Sequence, residues 1–304
     1  MKTMKKNWIK KTLTVTGIIA TGILFSQFTG EGTNYTSVDV KNHVYLPNNM
    51  NFCGEKVPMK IIDVKERLDR EMTVNINLHS GTTLIIKRAN RYFPEIEPIL
   101  KKHGIPDDFK YLAVIESGLT NATSSAGAKG FWQFMPETAK EYNLEVSNSI
   151  DERYDVVKAT EAACQYLKKA YNKFGNWTLV AASYNRGMGG IQKSIDAQGV
   201  TDYYDLLLTD ETSRYVFRIL ALKEIMENSG KYGFQLPNDV LYDPIKTKNL
   251  PVSENIPDLA KYALDQGINY KILKLHNPWM RDTSLTITPG KSYVIQIPTE
   301  GYKR

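Results

Sequence analysis

Residues 111–136 read YLAVIESGLTNATSSAGAKGFWQFMP, and this stretch decides how the rest of the chain is read. A short apolar segment leads to Glu116-Ser117. A loop of small residues follows and closes on Gly130-Phe131-Trp132-Gln133-Phe134-Met135-Pro136. Phe109, Leu112, Ala113 and Ile115 recur at helical spacing, and Pro106-Asp107-Asp108 opens the helix. Leu112 and Ala113 precede Glu116 by four and three residues, so they share its face. A carboxyl among such neighbours loses water, which raises its pKa and keeps a proton on hand for a leaving group. Position alone favours a plainer reading: a helix-end glutamate in water, or one that satisfies loop backbone.

The helical pattern extends to both sides. Val64, Leu68 and Met72 stand at i, i+4 and i+8, and a second segment carries Leu84 to Phe93. Pro94 is expected to interrupt it before a short helix with Ile96, Ile99 and Leu100, which Gly104 ends. Downstream, Pro136 begins a helix. Asp151-Glu152-Arg153 opens a long one that Gly175 closes, and Asn176-Trp177 starts another that ends at Gly187. Gly189-Gly190 and Gly199 read as the following turn, and Glu211 to Met226 as a last long helix. Residues 61–235 are thus expected to form a helical domain with short loops.

The flanks differ. Residues 1–30 combine a basic stretch with an apolar run from Leu13 to Phe25, too short to span a bilayer, and read as an export signal peptide. Residues 31–60 read as an extended N-terminal arm. Residues 236–255, with Pro237, Pro244 and Pro251, read as a linker. Two short helices and a strand at Ser292 to Ile297 then make a small α+β unit over residues 256–299.

At 304 residues, with 42% hydrophobic and 24% charged residues, the chain has the composition of a folded protein of about two domains. The net charge of +6 misleads, because Lys2, Lys5, Lys6, Lys10 and Lys11 precede the first acidic residue, Glu31, and supply five of the six charges. The near-neutral remainder gives no electrostatic case for nucleic acid. Cys53 and Cys164 permit one disulfide in an exported chain, or two unpaired thiols. Neither has metal-ligand spacing, and the four histidines are isolated, so neither a metal nor another cofactor is expected.

Four features stand in order: Glu116-Ser117; Gly130…Gln133…Met135-Pro136; Ala182-Ser183-Tyr184-Asn185-Arg186-Gly187; and Glu211-Thr212-Ser213-Arg214-Tyr215-Val216. Together they resemble the lytic transglycosylases with a goose-lysozyme-like catalytic domain, especially the membrane-bound type D subgroup. The resemblance spans about residues 61–235. It implies a mainly α, lysozyme-like fold and a substrate of peptidoglycan glycan strands. The implied reaction cleaves the β-1,4 bond between N-acetylmuramic acid and N-acetylglucosamine and leaves a 1,6-anhydro end.

By position, Glu116 matches the single catalytic glutamate, acid first and then base. Ser117 matches a residue that orients it, and Ser124 the serine that faces it. Gln133 and Met135 match the lining of the sugar subsites. Tyr184 and Asn185 match the pair that contacts the N-acetyl group and supports the acid. Glu211 and Tyr215 match the wall of the groove. A lysozyme-type hydrolase on the same fold would need a second carboxylate, for which Asp151, Asp155 and Glu211 are at hand. A non-catalytic wall-binding protein is the third reading. Gly118-Leu119-Thr120 departs from the usual loop after the acid, being short and without the common proline.

The terminal unit resembles a degenerate LysM module. The resemblance rests on Asp258-Leu259-Ala260, Gly267-Ile268, Leu273, Asn277-Pro278, Pro289-Gly290 and Tyr293-Val294-Ile295-Gln296-Ile297-Pro298. It implies binding of N-acetylglucosamine chains, with the linker tethering the module to the catalytic domain. With the export signal, the location expected is the periplasm or the cell envelope.

Overall fold

A computed structural model describes residues 44–302. The expected signal peptide and most of the N-terminal arm lie outside these residues. No helix among the described residues is long and apolar enough to cross a membrane.

The mainly α class expected from the sequence is found, with two small antiparallel sheets at the ends of the described chain. Eight α-helices make the larger part: α1 (Ile62–Asn77), α2 (His79–His103), α3 (Lys110–Ser117), α4 (Pro136–Glu141), α5 (Val156–Phe174), α6 (Trp177–Arg186), α7 (Met188–Gln198) and α8 (Asp210–Glu227). Helix α8 is the central one. Thr212, Tyr215, Val216, Phe217, Ile219, Leu220, Ala221, Leu222 and Ile225 are all buried, so it is enclosed on nearly every side. It packs against α1, α3 and α6. Helix α5 shows the ordinary one-faced pattern, with Ala159, Ala163, Leu167 and Ala170 inward. The Asp155 side chain caps its start by accepting from the Lys158 N–H, and Gly175, at φ 64°, ends it.

Two helices run where turns were expected. Helix α2 continues through Pro94 and Pro98. The two prolines are four apart on an exposed face, so the carbonyls they leave without a partner lie on the side open to water. Helix α7 includes Gly189 and Gly190. Ile191 is fully buried, and a Cβ on Gly190 would approach the Arg186 side chain to 2.8 Å, so the glycine permits a close approach here and does not break the helix.

The end of the N-terminal arm is packed rather than extended. Strands β1 (Asn51–Phe52) and β2 (Glu55–Lys56) form a hairpin. Phe52 is fully buried edge-on against Phe109, which in turn packs edge-on against Trp177. Burial of a phenylalanine side chain contributes about 1.5–3 kcal/mol. The Glu55 carboxylate accepts from the Trp177 and Thr178 N–H groups at 2.6 and 3.0 Å and so caps α6. Cys53 and Cys164 are free thiols. Burial pushes both upward, that of Cys164 to about 12.

The segment read as a linker contains strand β3 (Thr247–Val252). It pairs antiparallel with β4 (Tyr293–Pro298), and Pro251 stands opposite Val294. A proline is tolerated because the two-stranded sheet leaves each strand an open edge. Between the strands lie α9 (Leu259–Asp265) and α10 (Tyr270–His276), which gives the order β–α–α–β. This unit has its own core of Leu259, Ala263, Leu273, Trp279, Met280, Leu285 and Ile295.

Candidate active site

Helix α3 delivers Glu116 one residue from its end. Five consecutive buried residues, Tyr111, Leu112, Ala113, Val114 and Ile115, anchor the helix, and Gly118, at φ 59°, terminates it. Leu119 follows at φ 56° with its side chain buried, an uncommon conformation for a branched residue. The chain thus turns sharply away and leaves the Glu116 carboxyl at the helix exit.

Four influences act on that carboxyl. Burial raises its pKa and is the largest. The Tyr215 hydroxyl donates to Oε1, which favours the ionised form. The positive charge of Arg218 lowers the pKa, and the negative charge of Glu211 raises it. The net direction is upward, as a general acid requires. Tyr215 is itself buried, and burial together with the Glu116 charge holds its hydroxyl well above the ordinary tyrosine value. It therefore stays a donor.

Two arginines hold the backbone on either side of Glu116. Arg218 Nη2 donates to the Ile115 carbonyl at 2.9 Å, and Arg88 Nη1 to that of Gly118 at 3.0 Å. Helix carbonyls at a C-terminus lack partners within the helix, and cations complement them. Neither arginine was among the expected site residues. Arg218 lies three residues after Tyr215, so the helical spacing could have identified it.

The loop across from the acid is held by its backbone. Ser117 Oγ donates to Phe131 O at 2.9 Å, and Tyr184 Oη to Trp132 O at 2.8 Å, so two site residues hold adjacent carbonyls. Burial, followed by the Glu116 charge, pushes the Tyr184 hydroxyl well above the tyrosine range. Gln133, at φ 48°, donates from Nε2 to Ala122 O at 3.1 Å and Gly130 O at 2.7 Å, so its amide nitrogen closes the loop. Ser124 does not bond Glu116; its hydroxyl accepts from the Ala128 N–H at 3.0 Å. Met135 is 42% exposed, free to meet a ligand. Trp132 is fully buried and donates from Nε1 to Thr160 Oγ1 at 2.8 Å, which makes it part of the core.

Asn185 and Glu211 meet at 3.1 Å, through Asn185 Nδ2 and Glu211 Oε1. Thr212 Oγ1 donates to Asn185 Oδ1 at 2.7 Å. Of the expected residues, then, Glu116, Tyr184, Asn185, Glu211 and Tyr215 come together across α3, α6 and α8. Ser117 and Tyr184 connect that frame to the loop, while Gln133 closes the loop on itself and Ser124 serves its turn.

Residues 94–207 match the family described as Transglycosylase SLT domain, and residues 248–301 match the Soluble lytic transglycosylase C-terminal LysM-like domain. The chain is 33% identical over 255 residues to Membrane-bound lytic murein transglycosylase D of Escherichia coli (strain K12), a match covering 80% of this chain and 54% of that protein. It is 31% identical over 110 residues to a Putative tributyltin chloride resistance protein of Alteromonas sp. (strain M-1), covering 36% of this chain and 53% of that one. The chain thus spans about half the length of the curated relatives it matches. Among solved structures, an inactive mutant of the lytic transglycosylase Slt from Pseudomonas aeruginosa is similar at a TM-score of 0.36 and 20% identity, over 49% of this chain and 25% of that one. Over residues 94–207 and 248–301 the chain is thus similar to the lytic transglycosylases, with an SLT domain followed by a LysM-like C-terminal domain.

Proposed function

We propose that this protein is a peptidoglycan lytic transglycosylase of the cell envelope in which Glu116 is both acid and base. The observation that carries this reading is one enclosed carboxyl with a raised pKa, bonded by a buried tyrosine that remains protonated. Glu116 gives its proton to the oxygen bridging N-acetylmuramic acid and N-acetylglucosamine as that bond breaks. The muramic N-acetyl oxygen holds C1 as an oxazolinium-like species. The Glu116 carboxylate then takes the proton of the C6 hydroxyl, whose oxygen attacks C1. The proton lost in the first step is regained in the second, and no water is consumed. This is one of the substrate-assisted exceptions to the two-carboxylate scheme.

The carboxylates available to a hydrolytic alternative are already engaged. Asp151 pairs with Arg153 through both oxygens, at 2.8 Å each. Asp155 caps α5. Glu211 is exposed and holds Asn185. In the proposed roles, Tyr215 and Ser117 set the acid, Tyr184 and Asn185 face the N-acetyl group, and Gln133, Met135 and Glu211 line the groove. Residues 61–235 supply the chemistry, and the export signal at residues 1–30 carries the protein to the envelope.

Mass spectrometry of sacculi digested with the protein tests the reading. Soluble fragments ending in 1,6-anhydro-N-acetylmuramic acid are expected. Fragments with free reducing ends and no anhydro ends would establish the hydrolase, and no fragments at all would establish a binding protein.

A further inference from the structure

The C-terminal unit has been given one role so far, capture of glycan through a flexible tether. Its packing does not suit a tether. The segment before β3 is held against α2: Tyr242 N–H donates to Lys87 O at 3.2 Å, and Asn90 Nδ2 to Tyr242 O at 3.2 Å. Arg91 Nε donates to Asp243 O at 2.9 Å, and the Lys87 and Arg91 cations sit over the Tyr242 ring.

The unit is also fixed to the larger domain at the segment 149–154. Ile150 pairs with Met280 as an antiparallel bridge. Asp151 N–H donates to Trp279 O at 2.9 Å, and Arg281 N–H to Ser149 O at 2.8 Å. The Ile150 side chain, 3% exposed, belongs to the core of the C-terminal unit although the residue lies far upstream in the chain. Around this seam, Glu145 accepts from Lys291 at 2.6 Å and from Tyr293 at 2.8 Å. The Arg281 guanidinium lies 4.5 Å from the centre of the Tyr154 ring.

The other face of the same segment holds the active-site loop. Arg153 is almost completely buried, and its Nη1 donates to both Gly127 O and Phe134 O at 3.1 Å. The Asp151 carboxylate fixes the guanidinium bidentately, and Lys129 Nζ reaches the same carboxylate at 3.4 Å. Tyr154 Oη lies 3.0 Å from Thr123 Oγ1. At Gly130 the loop lies so close that a Cβ would be 1.8 Å from Arg153 O.

One short segment thus joins the C-terminal unit to a loop whose Phe131 and Trp132 carbonyls are held by Ser117 and Tyr184. From this continuous path we infer that the C-terminal unit is a positioning element for the catalytic loop: docked through Ile150, it sets the loop against Glu116 by way of Asp151, Arg153 and Tyr154. This inference rests on the proposed reaction at Glu116. Loosening the dock should lower turnover even on a glycan too short to reach both units, because small misplacements at a reacting centre are expensive in rate.

The test is Ile150→Asp, which places a carboxylate in the second core, with Glu145→Ala as a milder variant that leaves the core intact. Backbone hydrogen exchange and steady-state kinetics are measured for both and for wild type, on a short soluble glycan and on sacculi. In Ile150→Asp, exchange should rise about tenfold across residues 122–134 while α8 keeps its protection. Turnover of the short glycan should fall about tenfold to a hundredfold with KM nearly unchanged. Glu145→Ala should show the same pattern at about two- to threefold, and it decides the matter if Ile150→Asp does not fold.

Faster exchange at residues 149–151 with an unchanged loop and unchanged short-glycan turnover would overturn the inference. So would a rise confined to KM on sacculi, which is the signature of a tether. A wild-type protein that releases no fragments would remove the proposed reaction instead, and the exchange of residues 122–134 would still report on the brace.

Discussion

The two walls of the candidate active site are built on different principles. On one side, residues project from helices and meet side chain to side chain, Tyr215 on Glu116 and Asn185 on Glu211, while Tyr184 reaches across to the loop. On the other, residues 118–135 form a loop whose carbonyls accept from Ser117, Tyr184, Gln133 and Arg153. A helix fixes a side chain by periodicity and burial. A loop without a regular ladder has to have its backbone polar groups satisfied one at a time. The first wall therefore carries its chemistry in residue identity, and the second in backbone position.

Mutations can break that contrast. The largest effect is expected at the acid itself: Glu116→Gln should lower the release of soluble fragments from sacculi by about 10³-fold. The same variant should be more stable than wild type at neutral pH. The raised pKa of Glu116 means that the folded protein binds its proton more readily than the unfolded chain does. Stability is therefore lost as pH rises through the folded-state pKa, and an uncharged amide escapes that loss. Thermal melts should show the advantage of Glu116→Gln shrinking as pH falls through the folded-state pKa toward the usual glutamate value and levelling off below it. An advantage that grew toward acid pH would contradict the electrostatics described for this wall.

The loop wall should fail through its backbone. Gly130→Ala would set a Cβ against Arg153 O and also strain a residue at φ 79°. A loss of about 3 kcal/mol or more in urea unfolding is expected, with turnover lost alongside it. A stable, active Gly130→Ala protein would mean that the loop and Arg153 are not held as described.

The smallest effects concern tuning. Tyr215→Phe and Arg218→Gln each remove an influence that lowers the Glu116 pKa. In the pH profile of kcat/KM, the alkaline limb should move to higher pH in both, with turnover reduced about tenfold in Tyr215→Phe and less in Arg218→Gln. Arg218→Lys should restore the limb in part, since the charge returns without the planar fork. A limb moving toward lower pH would reverse the assigned signs.

The same contrast explains what could be read in advance. The helical wall was legible because Glu116, Tyr184-Asn185 and Glu211…Tyr215 match, in order, short motifs of the family the chain resembles. Leu112 and Ala113 on the face of Glu116 made a desolvated acid possible to argue, but position alone favoured a glutamate in water, and it is the burial of Glu116 that raises its pKa. The loop wall was legible only in outline. Ser124 was expected to face the acid and Gln133 to line the sugar subsites, yet the Ser124 hydroxyl and the Gln133 amide nitrogen hold backbone. Arg153 was invisible because it bonds carbonyls, which every residue has, so nothing in the sequence of the loop marks its partner. Strand β3 was hidden by Pro251, a residue that reads as linker until its partner strand leaves it an open edge. Helix α2 was divided in two by Pro94 for a related reason: the rule against proline assumes that the freed carbonyl is buried.

The Glu55 cap has a consequence for how the molecule is made. The carboxylate that closes the start of α6 lies 122 residues before the N–H group it binds. A ribosome adding roughly 5–20 residues per second needs on the order of ten seconds to cover that distance. Through that interval the N-terminal hairpin has been synthesised but its capping partner has not, and Phe52 waits for the Trp177 end of its aromatic stack. The oldest part of the described chain thus waits for its partner, and a fragment begun at residue 61 would leave the start of α6 to the Asn176 side chain, without the Glu55 carboxylate.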